Sequence, residues 1–168
     1  MKQILVMMAA VVLVGQSVVA DEEKLIADPI VEKKIRLQIN KPEGKLTLGD
    51  LDKILGLDLS GSKINDDSLQ EVAKLENLVG LNLNGTQITG EGLKALVKLQ
   101  RLEELALNST QITDVSLKEL AKFQKIKVLG LFRTKVTRAG VTELKKALPK
   151  VKHLIYFKQQ QPWDLILQ

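Results

Sequence analysis

The chain has 168 residues and carries 25 Lys and Arg side chains against 20 Asp and Glu, a formal net charge of +5 at pH 7. It contains no cysteine and one histidine, which excludes disulfide bonds, a thiolate nucleophile, cysteine-ligated metal centres and sites built from several histidines. Apolar residues make up 45% of the chain, enough for the core of one globular domain and too many for a disordered segment.

The first twenty residues have the pattern of a signal peptide. Lys2 precedes an apolar stretch of 11 residues at positions 4–14, and small residues follow up to Ala20. A stretch of this length is too short to span a bilayer comfortably. We therefore expect residues 1–20 to be removed and the protein to be exported to the periplasm or outside the cell. An uncleaved segment would instead tether the protein to a membrane.

Residues 21–53 do not repeat and are predicted to form a helical cap at the N-terminal end of the fold. Asp28 followed by Pro29 is typical of the start of a helix. Apolar residues then recur at every fourth position and predict a buried helix face: Val31, Ile35 and Ile39.

A second, shorter helix is predicted to begin after Thr47. Asp50, three residues later, completes a capping-box pattern. We expect Leu48 and Leu51 to face the interior from this helical turn. The cap as a whole would cover the leucines that an end repeat otherwise exposes to water.

Internal repeats with a period of 24 residues occupy positions 54–157. Four full copies keep the register, the fourth gains one residue near Ala147, and a partial fifth copy follows. The columns that define the period are Leu57, Leu81, Leu105 and Leu129; Leu59, Leu83, Leu107 and Leu131; and Ile64, Ile88, Ile112 and Val136.

Each repeat has the pattern of a short strand followed by a helix. In the second copy, Leu81 and Leu83 alternate as in a strand, and Leu93 and Leu96 lie on one face of a helix. One strand and one helix cannot bury both apolar sides alone, so we expect the copies to stack into a parallel sheet with the helices on its other side. A polar residue before each helix is the predicted N-cap: Asn65, Thr89, Thr113 and Thr137.

The repeat resembles the leucine-rich repeat, L-x-x-L-x-L-x-x-N/C-x-L, with Ser or Thr at the usual Asn or Cys position. Its form L-x-x-L-x-L-x-x-T-x-I-T-D is similar to that of exported bacterial proteins of this family. The resemblance implies an α/β solenoid, a right-handed horseshoe with the parallel sheet inside and the helices outside. It also implies a non-catalytic module that binds a protein. A different interpretation is that the protein is an adaptor similar to those of ubiquitin ligases. It fits the repeats, but the chain contains no F-box.

One column of the repeat carries a hydroxyl in every copy: Ser62, Thr86, Thr110 and Thr134. In such coils this side chain turns inward where the chain leaves the strand, so we predict that the hydroxyls pair with backbone groups left unpaired by the turn. A catalytic role would require a base beside them, and the sequence offers none. We therefore predict a structural ladder of hydroxyls, and no enzyme activity, metal or cofactor.

Residues that alternate with the buried strand leucines are predicted to face outward on the concave surface. The early strands place small and polar residues there, whereas the later strands place apolar ones. Phe132, Ile155 and Phe157 would form an exposed apolar patch that either binds a partner or is covered by the chain's own tail. The predicted binding residues of this surface are Asp58, Asn82, Asn84, Glu104, Asn108, Phe132, His153, Ile155 and Phe157.

Charge is distributed unevenly along the chain. Residues 21–117 have a net charge of −5, whereas residues 118–158 contain 12 basic and 2 acidic residues, a net charge of +10. An alternative function is therefore a structural, envelope-associated protein whose basic half attracts an anionic polymer or a membrane surface. The sequence contains no nucleic-acid recognition motif, and no nucleic-acid partner is expected.

Residues 158–168 are predicted to be a C-terminal tail, in which residues 159–162 interrupt the repeat pattern and residues 163–167 are strongly apolar. Burial of a large apolar side chain stabilises the folded state by about 1.5–3 kcal/mol. We therefore expect the segment that begins at Trp163 to pack near Tyr156 or Phe157 and to cap the solenoid. The alternative is that the tail docks into a partner.

Overall fold

The computed structural model describes residues 24–156, and in this range each repeat forms one coil with a three-residue strand and a short helix. The predicted signal peptide, Phe157 and the predicted tail lie outside the described residues. In chain order the elements are α1 Pro29–Gln38, α2 Leu48–Leu51, β1 Gly56–Asp58, α3 Ser68–Val72, β2 Gly80–Asn82, α4 Gly90–Leu96, β3 Glu104–Ala106, a 3-10 turn Asp114–Ser116 continued by α5 Leu117–Leu120, β4 Val128–Gly130, α6 Arg138–Ala147 and β5 His153–Ile155.

The five strands form one parallel sheet in chain order, from β1 to β5. Leu57 pairs with Leu81 and Leu81 with Leu105, so the register advances by the 24 residues of the repeat. Between the last two strands the step is 25, because Leu129 pairs with Leu154. The parallel sheet with flanking helices, predicted from the repeat, is confirmed.

The core is a set of leucine columns that run along the solenoid axis. The central leucines of β1 to β4 are almost completely buried, from 4% exposure at Leu57 to 1% at Leu129, and Leu154 of β5 is half-buried. Each strand is only three residues long, so its leucine is buried mostly by apolar side chains of the coils before and after it. The sheet is therefore held by stacking between coils more than by contacts within one coil.

Three of the four polar residues predicted before the repeat helices, Asn65, Thr89 and Thr137, accept from backbone N–H groups at the helix starts. The Thr89 hydroxyl accepts from the N–H of Glu91, and the Thr137 hydroxyl accepts from the N–H of Gly140. In the first coil, Asn65 bonds two N–H groups of the preceding turn, and helix α3 itself begins three residues later than Asn65.

Some of the same threonines also connect neighbouring coils. Asp66 accepts hydrogen bonds from the N–H and the hydroxyl of Thr89, at 2.7 and 2.6 Å. Asp114 accepts the same pair from Thr137, at 2.8 and 2.7 Å. These bonds hold the second coil to the first and the fourth to the third.

The N-terminal segment packs on the first coil, where helix α1 contacts α3 and β1. The Asp28 side chain accepts from the N–H groups of Ile30 and Val31, and Pro29 occupies the first helical turn. Val31 and Ile35 are fully buried. The apolar face that the spacing of four predicts is therefore present.

The short helix α2 begins at Thr47 with the predicted capping box, in which the Thr47 hydroxyl and the Asp50 carboxylate bond each other's N–H groups. Leu51 is buried, but Leu48 is 69% exposed, so the prediction that Leu48 faces inward is wrong. The extended backbone of Thr47 turns Leu46 into the core instead. A helix of one turn is too short for spacing alone to define its buried face.

Candidate functional site

The solvent-facing side of the parallel sheet, which is the predicted concave surface, forms a shallow groove that crosses all five strands. The central leucine of each strand points into the core, so the residues on either side of it face the groove. The groove has a volume of about 580 Å³. Small residues make up much of its floor and would let a partner approach the backbone closely: Gly56, Gly80, Ala106 and Gly130.

Acidic side chains line the first half of this groove. Asp58 in β1 and Glu104 in β3 are both exposed. The Asp58 carboxylate accepts from the N–H of Ser60 at 2.9 Å, and hydrogen bonds from the Ser60 side chain and N–H lower the pKa of Asp58. Asp58 and Glu104 thus give this part of the groove acidic groups with which a basic side chain can pair.

Amide side chains connect the coils where the strands end. Asn84 Oδ1 accepts from the N–H of Asn108, and Asn108 Oδ1 accepts from the N–H of Phe132, both at 2.8 Å. Gly130 makes room for the Asn108 amide, because a Cβ at that position would lie 2.8 Å from Nδ2. Asn82 Oδ1 likewise accepts from the N–H of Asn84. Within residues 24–156 no group accepts a hydrogen bond from the Nδ2 atoms of these three amides. None of these Nδ2 atoms is buried, so a partner can accept hydrogen bonds from them.

The two ends of the groove differ in chemistry. At the first strand Gln38 lines the groove and donates through Nε2 to the carbonyl of Gly56 at 2.8 Å. At the last strand Ile155 is 51% exposed, and Val128 of β4 also lines the groove. Gln38 was not predicted as a groove residue, although its position three residues after the buried Ile35 places it near the same helix face.

Five of the nine residues predicted for binding line this groove, and they come from strands β1, β2, β3 and β5 and the turn after β3: Asp58, Asn82, Glu104, Asn108 and Ile155. Asn84 and Phe132 lie beyond the ends of their strands and do not line it. His153 is exposed but also lies outside the lining, and Phe157 is outside the described residues.

The predicted apolar patch is present only in part within the described residues. Ile155 is exposed, whereas Phe132 is half-buried. The Arg133 guanidinium lies 5.3 Å from the centre of the Phe132 ring and covers it in a cation–π contact. The surface at Phe132, beyond the end of β4, is consequently more polar than the sequence predicts.

The hydroxyl column lies on the interior side of the coil, away from the groove. Thr86 and Thr110 are buried, and the other two members of the column are half-buried. Each hydroxyl donates to the carbonyl of the leucine three residues before it, at 2.5–2.7 Å: Ser62 to Leu59, Thr86 to Leu83, Thr110 to Leu107 and Thr134 to Leu131.

The arrangement of ligand side chains bears on whether the described residues could hold a metal ion. Within residues 24–156, no cluster of three or more His, Asp or Glu side chains is arranged to hold a metal ion. The groove instead offers carboxylates, amide donors and apolar surface, which are groups for recognition.

Comparison with known proteins identifies the repeat. Two consecutive segments, residues 74–97 and 98–121, match the family model described as Leucine Rich repeat. These two segments are leucine-rich repeats, and the chain has the leucine-rich repeat fold. The two segments correspond to the coils that contain α4 and α5, at the centre of the solenoid.

Solved structures of leucine-rich repeat proteins share the fold. An internalin from Listeria monocytogenes strain 4b F2365 is 24% identical, with a TM-score of 0.57 over 84% of this chain and 47% of that chain. An internalin C2 from the same strain is 27% identical, with a TM-score of 0.56 over 77% of this chain and 64% of that chain. The present chain thus spans about half to two thirds of these internalins. No curated protein sequence matches it.

Proposed function

We propose that this leucine-rich repeat protein is a non-catalytic module that binds a partner protein in the groove across its parallel sheet. The observation that carries the proposal is the open groove of about 580 Å³, which crosses all five strands over a floor of small residues. Repeats of this family typically serve protein interaction, and stacked coils provide a rigid surface for it.

The groove favours an extended segment of the partner, because it is shallow and spans several strands. A basic side chain of that segment would pair with Asp58 or Glu104, and an apolar one would contact Val128 and Ile155. Backbone carbonyls of the segment could accept from the exposed amide of Asn108. Binding would therefore depend on contacts at both ends of the groove.

We further propose that the protein acts after export, in the cell envelope or outside the cell. The support is the signal-peptide pattern of residues 1–20, which lie outside the described residues. Among residues 24–156, no helix has the length and apolarity needed to cross a membrane.

Crosslinked capture from the native envelope, followed by mass spectrometry, tests the groove. Ala106, half-buried at the centre of the groove, is replaced by Phe to fill it. Val115, 80% exposed on the helical side, is replaced by Phe as the matched control. We expect Ala106→Phe to lose a partner that the wild type and Val115→Phe retain.

Salt dependence provides a second readout of the same experiment. Capture that persists in about 0.5 M salt indicates apolar contacts with the groove, such as those at Val128 and Ile155, because exposed charges are strongly screened at that ionic strength. If Ala106→Phe captures the same proteins as the wild type while keeping its fold, the groove is not the binding site.

A further inference from the structure

Basic side chains from successive coils align along one edge of the solenoid, at the turn that leads from each helix into the next strand. Arg101, Lys125 and Lys150 occupy the same position in the turns before β3, β4 and β5. Side chains at this position can contact each other across neighbouring coils. Arg101 Nη1 donates to Oδ1 of Asn77, the equivalent residue one coil earlier, at 3.0 Å.

Lys127 and Lys152 form a second, shorter basic column, two residues further along the turns before β4 and β5, whereas Glu103 holds the equivalent position before β3. The N–H of Lys152 donates to the carbonyl of Lys127 at 2.9 Å, which places these two residues on neighbouring coils. All side chains of the two columns are exposed. We name this surface the basic edge and define it by five residues: Arg101, Lys125, Lys127, Lys150 and Lys152.

Little acidic charge offsets the basic edge. Glu103 forms an ion pair with Lys127 at 2.6 Å, but no other member of the edge has an ion-pair partner within residues 24–156. One coil earlier, the equivalent positions hold Asn77 and Val79. The positive charge is therefore confined to the third, fourth and fifth coils.

We propose that the basic edge binds a membrane surface rich in anionic phosphate headgroups. Neighbouring strands of a sheet are about 4.8 Å apart, so each column presents positive charges in a closely spaced row. Four of the five residues are Lys, whose hydrated ammonium acts as a point charge on a flexible stem. Such an array suits headgroups that diffuse to match it, since basic residues near an anionic leaflet are attracted without a defined pocket.

The basic edge is separate from the groove. None of its five residues lines the groove, which is formed by the strands that follow these turns. A protein bound to a membrane through the basic edge would keep its groove accessible to a partner protein. Membrane attachment and partner binding are therefore independent properties, which separate variants can test.

Sedimentation of the full chain with phosphatidylglycerol vesicles and with neutral phosphatidylcholine vesicles tests the proposal. Each basic side chain near an anionic surface raises affinity about fivefold, so loss of three should weaken binding about a hundredfold. The edge variant combines Lys125→Gln, Lys150→Gln and Lys152→Gln. The control variant removes the same net charge from exposed positions elsewhere, by combining Lys63→Gln, Lys118→Gln and Lys135→Gln.

We expect the wild type and the control variant to bind the anionic vesicles more tightly than the neutral ones, and the edge variant to lose this preference. Equal losses in the two variants would mean that net charge and not the edge attracts the membrane, which overturns the proposal. Equal binding to both kinds of vesicle would overturn it as well. Binding of soluble polyphosphate without binding of anionic vesicles would assign the edge to a soluble anion and reject the membrane. Unchanged urea midpoints verify that both variants are folded.

Discussion

Replacing Thr110 with valine removes one hydroxyl from the interior of the solenoid and keeps the shape of the side chain. The hydroxyl donates to the carbonyl of Leu107 at 2.6 Å, and Thr110 is 3% exposed. Leu107 is fully buried, and no backbone N–H of residues 24–156 reaches its carbonyl. The variant leaves this oxygen without a donor, which costs about 1–3 kcal/mol for a buried polar group. We expect the free energy of unfolding to fall by that amount.

The equivalent change at Thr134 is a matched control for this reasoning. The carbonyl of Leu131 accepts from the Thr134 hydroxyl and also from the Thr134 N–H at 3.4 Å, and Thr134 is only half-buried. Thr134→Val should therefore cost less, about 0.5–1.5 kcal/mol, the net value of one hydrogen bond. Urea denaturation followed by circular dichroism measures both losses, and the Thr110→Val midpoint should move down by about 1 M. An unchanged Thr110→Val midpoint, or a larger loss at Thr134, would refute the role assigned to the hydroxyl.

Three further predictions concern a glycine, a carboxylate and the tail. Gly92→Ala should lower stability by about 1–3 kcal/mol in thermal unfolding, because the added Cβ would lie 2.5 Å from Asp66 Oδ1; an unchanged melting temperature would contradict this. The Lys41 ammonium, 2.7 Å from the Asp50 carboxylate, holds the pKa of Asp50 well below its ordinary value. The resulting stability is fully present above about pH 4 and is lost as the pH falls through the folded-state pKa, so Asp50→Asn should flatten the acid side of a stability–pH profile; a profile parallel to that of the wild type would show that the pair does not contribute. Trp163, the single tryptophan of the chain, should emit at short wavelength and resist quenching if the tail packs on the last coil; red-shifted, freely quenched emission would instead support the tail as a binding peptide.

The regular part of the fold could be predicted because one spacing determines several features together. Leucines 24 residues apart must stack to bury both faces of each coil, which sets the strand order and pairing of β1 to β4. The additional residue near Ala147 likewise predicts the step of 25 at β5. Outside the repeat this constraint is absent, and the burial of Leu48 was predicted wrongly from the pattern of a single turn.

The groove could be predicted only in outline. Alternation along a strand identifies which residues face outward, and this placed Asp58 and Glu104 on the concave surface. Alternation says nothing about contacts between coils, so it could not show that Asn84 and Asn108 already bond the next turn through Oδ1. Nor could it show that the Arg133 guanidinium covers the Phe132 ring. These contacts depend on side-chain directions at the strand ends, where regular geometry stops.

Some polar contacts between coils alternate with a period of two coils, in addition to the 24-residue repeat. This alternation explains residues that the 24-residue pattern leaves unexplained. Asp66 and Asp114 each bond a threonine of the following coil, whereas Gly90 stands at the equivalent position between them. The contacts at Gly90 account for this alternation. A Cβ there would clash with the Ser116 side chain, so this boundary packs serine against glycine in place of an aspartate bridge. The boundary between the second and third coils thus has different chemistry from its neighbours, although every strand pairs in the same register. Stacking of apolar columns makes the coils equivalent in shape, whereas the polar contacts between them differ from one boundary to the next.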